Sequence, residues 1–253
     1  MIRELPILLP DWPAPANVRA AATTRRGGVS LGPFTSLNLG RNTEDDPDAV
    51  SANRRHLRAR LGLTREPAWL HQVHGADVVR ATEDSADSPA ADASWTDHPG
   101  IACTILAADC LPVLFCDRNG TRVAAAHGGW RGLANGILDR TVDAMGVAPA
   151  ELIAWLGPAI GPDAFEVGPE VRTAFVERWP ETTAAFRAGQ GDRWFCDIWS
   201  VARIQLRELG VTEIHGGGDC TFADEDRFFS FRRDGTTGRM ASLVWLDLQA
   251  VAE

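Results

Sequence analysis

The sequence predicts an α/β (α+β) protein, a single-domain layered fold over residues 1–253 with mixed β-sheets and flanking helices. Three observations carry that expectation. Apolar runs of strand length are bounded by glycine, proline and asparagine, amphipathic stretches of helix length lie between them, and two strand-like runs are joined by a tight turn. Hairpins and crossover helices in one chain produce mixed sheets instead of a clean alternating βαβ series. At 253 residues, 45% hydrophobic and 23% charged, the chain is long enough for one domain with a sizeable core.

The elements follow in order. Aspartates near 46–48 precede a helical stretch over 49–61, with Val50, Leu57 and Leu61 on its apolar side and Arg54, Arg55 and His56 on a solvated face. Strand-like runs at 68–73 and 76–81 are separated by His74-Gly75. Asp, Ala, Ser and Pro dominate 82–98, which reads as an exposed loop. Residues 101–108 read as a strand leading into a hairpin over 111–117 and 121–127, after which Gly128-Gly129-Trp130-Arg131-Gly132 opens a helix over 133–145. An apolar run over 152–156 ends at Gly157-Pro158, and helices follow at 169–179 and 198–209, the second with Asp197 at its N-terminus. Strands around 228–231 and 241–246 finish the chain.

Composition removes whole classes of chemistry. All 25 basic Lys+Arg residues are arginine and tyrosine is absent, so a P-loop lysine, a Schiff-base lysine and a catalytic tyrosine are excluded. A net charge of −9 is a poor match to a nucleic-acid polymer or an anionic membrane, but leaves room for a small phosphate-bearing substrate held by local arginines. No run of about 18 apolar residues and no signal peptide is present, so a cytoplasmic protein is expected. The five cysteines lack any CxxC spacing and are expected to be reduced thiols, not a disulfide framework or zinc finger.

The hairpin brings a thiol and an imidazole together. With Asn119-Gly120 as a two-residue turn, Arg118 opposes Thr121, opposing residue numbers total 239, and His127 lies across from Pro112. Cys110 is an even offset from Pro112, so it shares a face with His127 at the diagonal separation of roughly 7–8 Å that side chains can bridge. Cys110 and His127 are therefore half of a metal site, and zinc takes both donor types. For a further ligand, His56 and His98 fall on a helix surface and in the acidic loop, and His215 precedes three glycines. His71 and His74 remain. Three apart on an extended segment, they face opposite sides, and periodicity does not choose between them.

His71-Gln72-Val73-His74-Gly75, Ala108-Asp109-Cys110-Leu111-Pro112-Val113, Ala126-His127-Gly128-Gly129-Trp130-Arg131-Gly132 and Phe228-Phe229-Ser230-Phe231-Arg232-Arg233-Asp234-Gly235 resemble the ordered signatures of one family. It is the laccase-domain or polyphenol oxidase family, also described as zinc-dependent purine nucleoside phosphorylases and as a peptidoglycan editing factor. Thr23 to Ser30, Ser36 to Gly40 and Gly157 to Pro162 extend the resemblance, which covers residues 20–245. Four positions depart from the family pattern: Gly128 replaces alanine, Phe231 replaces tyrosine, Ala202 replaces asparagine, and no cysteine follows Gly161.

The resemblance implies a metal triad of His74, Cys110 and His127, with zinc as the cofactor ahead of copper and one coordination position left open for chemistry. It implies phosphorolysis of purine nucleosides (adenosine, inosine, methylthioadenosine), with phosphate as second substrate, and adenosine deamination at the same metal. Arg25, in the family's TTRxGG motif, is expected to clamp phosphate, ahead of Arg26, with Arg232 a second anion-binding candidate. Asp109 is expected to carry a proton or support the ligands, although a regular strand would turn it to the opposite face. Rival readings are a copper polyphenol oxidase, which would need more histidines, a hydrolase that edits cell-wall precursors, and a non-enzymatic zinc-binding protein, which would need a fourth ligand.

Overall fold

The computed structural model describes residues 5–83 and 89–248. Six strands form the larger sheet in the order Glu213–Gly216, Leu152–Leu156, Leu111–Asp117, Val123–Gly128, Ala93–Thr96, Val78–Arg80. Its two outermost pairings are parallel and those between them antiparallel, so the sheet is mixed as expected. A second sheet runs Ile7–Leu8, Val18–Thr23, Met240–Leu246, Ala102–Ala107, and a third, small one joins Phe186–Ala188, Trp194–Cys196 and Glu166–Val167.

Strand alternation decides how the layers stack. Leu111, Val113 and Phe115 point into a core shared with the helices Ile137–Met145, Pro169–Val176 and Ile198–Glu208. Leu114 and Cys116, from the same strand, point into a second core shared with Cys103, Ile105 and Val244 of the four-stranded sheet. The far face of that sheet, Ala241, Leu243 and Trp245, packs on Leu37, Leu39, Leu57 and Trp69. The order is thus helices, sheet, sheet, helix and loops, an α/β layered fold. Among the described residues, no helix is long and apolar enough to cross a membrane.

The hairpin register is the expected one, with Pro112 opposite His127, but its turn is wider. Gly120 donates to the Asp117 carbonyl and the Asp117 carboxylate takes the N–H groups of Thr121 and Arg122, so four residues close the loop. A loop of two or of four residues centred on the same peptide bond pairs the same residues, which is why the register survives.

Other expectations change. Within the loop assigned to 82–98, residues 84–88 lie outside the described residues, while Ala93–Thr96 is an internal strand, too short and too rich in Ala, Ser and Thr to show an alternation. The helix over 133–145 is two helices, Trp130–Ala134 and Ile137–Met145, broken where Gly136 takes φ 83. Residues 228–231 are not a strand: Phe228 and Phe229 bury together in a small cluster with Ala108 and Met240, and Ser230 caps a short helix, Phe231–Asp234, by accepting from the Arg233 N–H. Arg54 is not on a solvated face but buried, stacked on Trp69 with 3.8 Å between guanidinium carbon and ring centroid. Asp197 caps its helix as expected, accepting from the Ser200 N–H.

Candidate metal centre

Three segments converge above the ends of the two large sheets. His127 sits near the end of Val123–Gly128, Cys110 immediately precedes Leu111–Asp117, and His74 lies in the connection before Val78–Arg80. Donor atoms of His74, Cys110 and His127 lie within 4.8 Å of one another, the His74 and His127 ring centroids are 4.8 Å apart, and Cys110 Sγ is 3.9 Å from His74 Nε2.

The backbone at two of these segments is bent out of extended geometry. His74 has φ 60 and Asp109 φ 91, the non-glycine residues with positive φ among those described. Such conformations cost about 1–3 kcal/mol each and persist where surroundings over-determine them. At His74 the surroundings are visible. The wholly buried Asp92 carboxylate accepts the N–H groups of Val73 at 3.1 Å, His74 at 2.9 Å and Gly75 at 2.7 Å. Just upstream, Gln72 clasps Leu106 through both its amide atoms, at 2.8 Å each, tying the turn to the edge of Ala102–Ala107. His71 and His74 are therefore not on opposite faces of an extended segment. Both border one cavity, but His71 bonds Asn42 and only His74 joins the donor group.

Asp92 also accepts from His127 Nδ1 at 2.8 Å, and the His127 ring is only 3% exposed. A carboxylate can only accept there, so Nδ1 carries a proton and Nε2 faces the triad, where it becomes a metal donor on giving up its own proton. Burial opposes charge on either member of the Cys110–His127 pair. Their mutual attraction, with hydrogen bonds from His127 and His74, nonetheless lowers the Cys110 thiol, and Cys110 and Asp92 raise His127. Cys103 and Cys116 show the contrast: burial pushes both up to about 12. Cys110 is thus held toward the thiolate, the form that ligates metals.

The donor set of two imidazoles and a thiolate fits zinc, and three protein ligands match a centre with an open position. Gly129 completes the space around it. Its φ of −64 suits any residue, but a Cβ there would stand 3.1 Å from His74 Cδ2, 3.3 Å from Cys110 Sγ and 3.6 Å from His127 Cε1. Gly128, where the family pattern has alanine, has its own reason: a Cβ would meet the Leu111 carbonyl oxygen at 2.8 Å.

The triad opens on a cavity of about 740 Å³. Trp130, Ile160, Phe165 and Phe231 supply apolar wall, and Arg41, Arg54, Arg131, Arg232 and Arg239 supply cations. Arg232 borders it while donating to the Glu166 carbonyl at 2.9 Å. Asp109 is also on this wall, because its left-handed backbone breaks the strand that would have turned it away. Both its oxygens are engaged, one by the Thr221 hydroxyl and one by the Arg232 N–H, each at 2.6 Å.

Arg25 lies elsewhere. It borders a separate cavity with Arg26, Glu225 and Arg233, donates to the carbonyls of Thr35 at 3.0 Å and Glu225 at 3.1 Å, and stacks on Phe229. The structure therefore does not bring it to the triad. Asp92 is the residue sequence reasoning missed. A lone acid among Ala90, Ala91 and Ala93 was the available signal, since an alanine-flanked carboxylate is poorly placed for solvent.

The comparisons with known proteins agree over nearly the whole chain. The family described as multi-copper polyphenol oxidoreductase laccase matches residues 19–247. A Pseudomonas aeruginosa protein named purine nucleoside phosphorylase is 60% identical, over 94% of this chain and 98% of its own. The Escherichia coli protein named purine nucleoside phosphorylase YfiH is 52% identical, over 95% of this chain and 98% of its own. Among solved structures, a Neisseria meningitidis protein superposes with a TM-score of 0.93 at 52% identity, covering 95% of this chain and 99% of that one. YlmD from Geobacillus stearothermophilus gives 0.89 at 33% identity, covering 97% and 99%.

Proposed function

The chain belongs to the family described as multi-copper polyphenol oxidoreductase laccase, and from that premise we propose that it is a zinc-dependent purine nucleoside phosphorylase acting on adenosine, inosine and methylthioadenosine. One observation carries the reading: a three-ligand metal group, several arginine side chains and an aromatic wall of Trp130, Phe165 and Phe231 border the same cavity. That combination suits a reaction between an anion and a neutral aromatic nucleoside.

In phosphorolysis a phosphate oxygen forms a bond to the anomeric carbon, the glycosidic C–N bond breaks, and its electron pair leaves with the purine, which takes up a proton. Positive charge builds on the sugar and negative charge on the base. Phe165, Phe231 and Trp130 offer flat faces for the base, while the arginines hold the anion in line with the sugar carbon. Asp109 braces the turn that presents Cys110 and anchors the N-terminus of Phe231–Asp234, so its part is positioning. Zinc held by His74, Cys110 and His127 would supply a Lewis acid for the leaving base and an activated water for adenosine deamination. Copper is the weaker reading: multicopper chemistry needs several metal groups, and the described residues offer this one group of three.

The decisive assay incubates inosine or adenosine with the zinc-loaded protein, with and without inorganic phosphate. Release of free base with ribose 1-phosphate, only when phosphate is present, is expected. Equal base release in its absence would overturn phosphorolysis.

A further inference from the structure

Arg54 is a buried cation that makes no direct ion pair among the described residues. It is 5% exposed, on the helix Pro47–Arg60. Its Nε donates to the Leu39 carbonyl at 2.9 Å, and its guanidinium carbon lies over the Trp69 ring. Its two terminal nitrogens have no hydrogen-bond or ion-pair partner among the described residues. Glu66, the acid that acts on it, already takes the Trp69 indole N–H at 2.7 Å and Arg58 at 3.2 Å. What remains open of Arg54 borders the same cavity as the triad.

A guanidinium stripped of most of its water and left without a carboxylate gains most from a partner that completes it, and the open side of this one faces the cavity. Burial, reinforced by the like charge of Arg41, lowers Arg54 to about 10, whereas an ordinary structural arginine would be relieved by a carboxylate. Arg41 also borders the cavity, so a second positive charge faces the same space. Everything about the residue is pre-set except its outer fork. Leu39 fixes Nε, Trp69 lies against the guanidinium carbon, and the neighbouring Asn53 locks the helix to the 29–38 loop through Val29, Ser30, Ser36 and Asn38. A planar fork held this way matches two oxygens of a tetrahedral oxyanion.

We propose that Arg54, not Arg25, is the residue that binds the phosphate co-substrate, as a bidentate donor with Arg41 adding charge beside it. The assignment rests on the phosphorolysis reading for the identity of the anion, while the anion site itself stands on geometry. The other arginines of the wall are less suited: Arg239 gives its Nη1 to the carbonyls of Thr237 and Gly238, and Arg232 donates to Glu166. Arg131 is exposed and stacks on Trp130.

The test compares wild type with Arg54→Lys and Arg54→Met, all zinc-loaded. Phosphate KM should rise roughly 10- to 100-fold in both variants while nucleoside KM moves by less than about 3-fold and zinc content is unchanged. Folded, zinc-loaded variants with wild-type phosphate KM would overturn the assignment. Calorimetric titration of inorganic phosphate separates this outcome from failure of the enzymatic reading. Phosphate binding by wild type and its loss in Arg54→Lys would support the site even if no nucleoside is cleaved; no binding by wild type would overturn it. Should the variants not fold, wild-type crystals soaked in tungstate decide, with the anion on the Arg54 fork supporting the proposal and an anion only elsewhere in the cavity refuting it.

Discussion

The Asp92 carboxylate and the His127 ring form one buried pair, 2.8 Å from Oδ1 to Nδ1, and the same carboxylate collects the three N–H groups of the turn that carries His74. A single side chain thus sets the tautomer of one metal donor and the backbone of another. Because the His127 N–H also donates to the Asp92 carbonyl at 2.7 Å, the two strands cannot slide without disturbing the centre.

Asp92→Asn should therefore weaken the metal centre without touching a ligand. An amide can accept at only one atom, leaving buried N–H groups unsatisfied and His127 without its charged partner. Loss of such a partner typically lowers metal affinity about 10–100-fold. Competition with a zinc chelator reads this directly. An unchanged zinc affinity in the folded variant would show that the turn at His74 holds itself.

Substitution of each ligand separates the triad from its neighbour. His74→Ala, Cys110→Ala and His127→Ala should each lose the stoichiometric zinc and the activity, since a centre with three protein ligands does not survive on two. His71→Ala should keep its zinc, being bonded to Asn42 outside the donor group. Because His71 borders the cavity, its loss can still alter nucleoside KM. Metal content by elemental analysis scores all four, and full zinc in any ligand variant would break the assignment.

How much of this was legible depended on where each residue's environment is written. The hairpin was readable because Asn119-Gly120 and the flanking apolar runs are local, so the pairing of Pro112 with His127, and from it the nearness of Cys110, followed from arithmetic. The choice of His74 over His71 was not, because it depends on a turn imposed by Asp92 from a distant segment, which periodicity cannot sense. Ala93–Thr96 escaped because Ala93, Ser94 and Thr96 after an acidic stretch resemble a loop, leaving Trp95 as the one strong strand former, though the strand is covered on both faces. Arg54 was misplaced for a related reason: what buries it is Trp69 and Leu39, neither on its own helix. That Arg25 borders a cavity apart from the triad was not legible, because a motif states which residues recur, not which cavity they enter.

Gly129→Ala tests whether the space around the donors is set as tightly as the distances imply. The backbone there tolerates alanine, so any effect is steric, and the new methyl would press on His74, Cys110 and His127 together. Displacements of about 0.5 Å suffice to spoil a metal constellation. Zinc affinity should fall by about 10-fold or more while the apo protein melts within a few degrees of wild type. Unaltered affinity would mean that the three side chains yield freely.

Arg25→Ala should behave as a loss of structure, not of substrate binding. Its guanidinium ties the Thr35 and Glu225 carbonyls together and lies over Phe229, a residue with no exposed surface, so it staples the front of the chain to the loop before Phe231–Asp234. Two partly exposed hydrogen bonds to a charged donor and one stacking contact are together worth about 2 kcal/mol, which in a protein this size lowers Tm by roughly 4–8 °C. Phosphate KM should stay within about 3-fold of wild type, because the residue borders a different cavity from the triad. A phosphate KM raised tenfold or more with an unshifted Tm would return the anion site to Arg25 and remove it from Arg54.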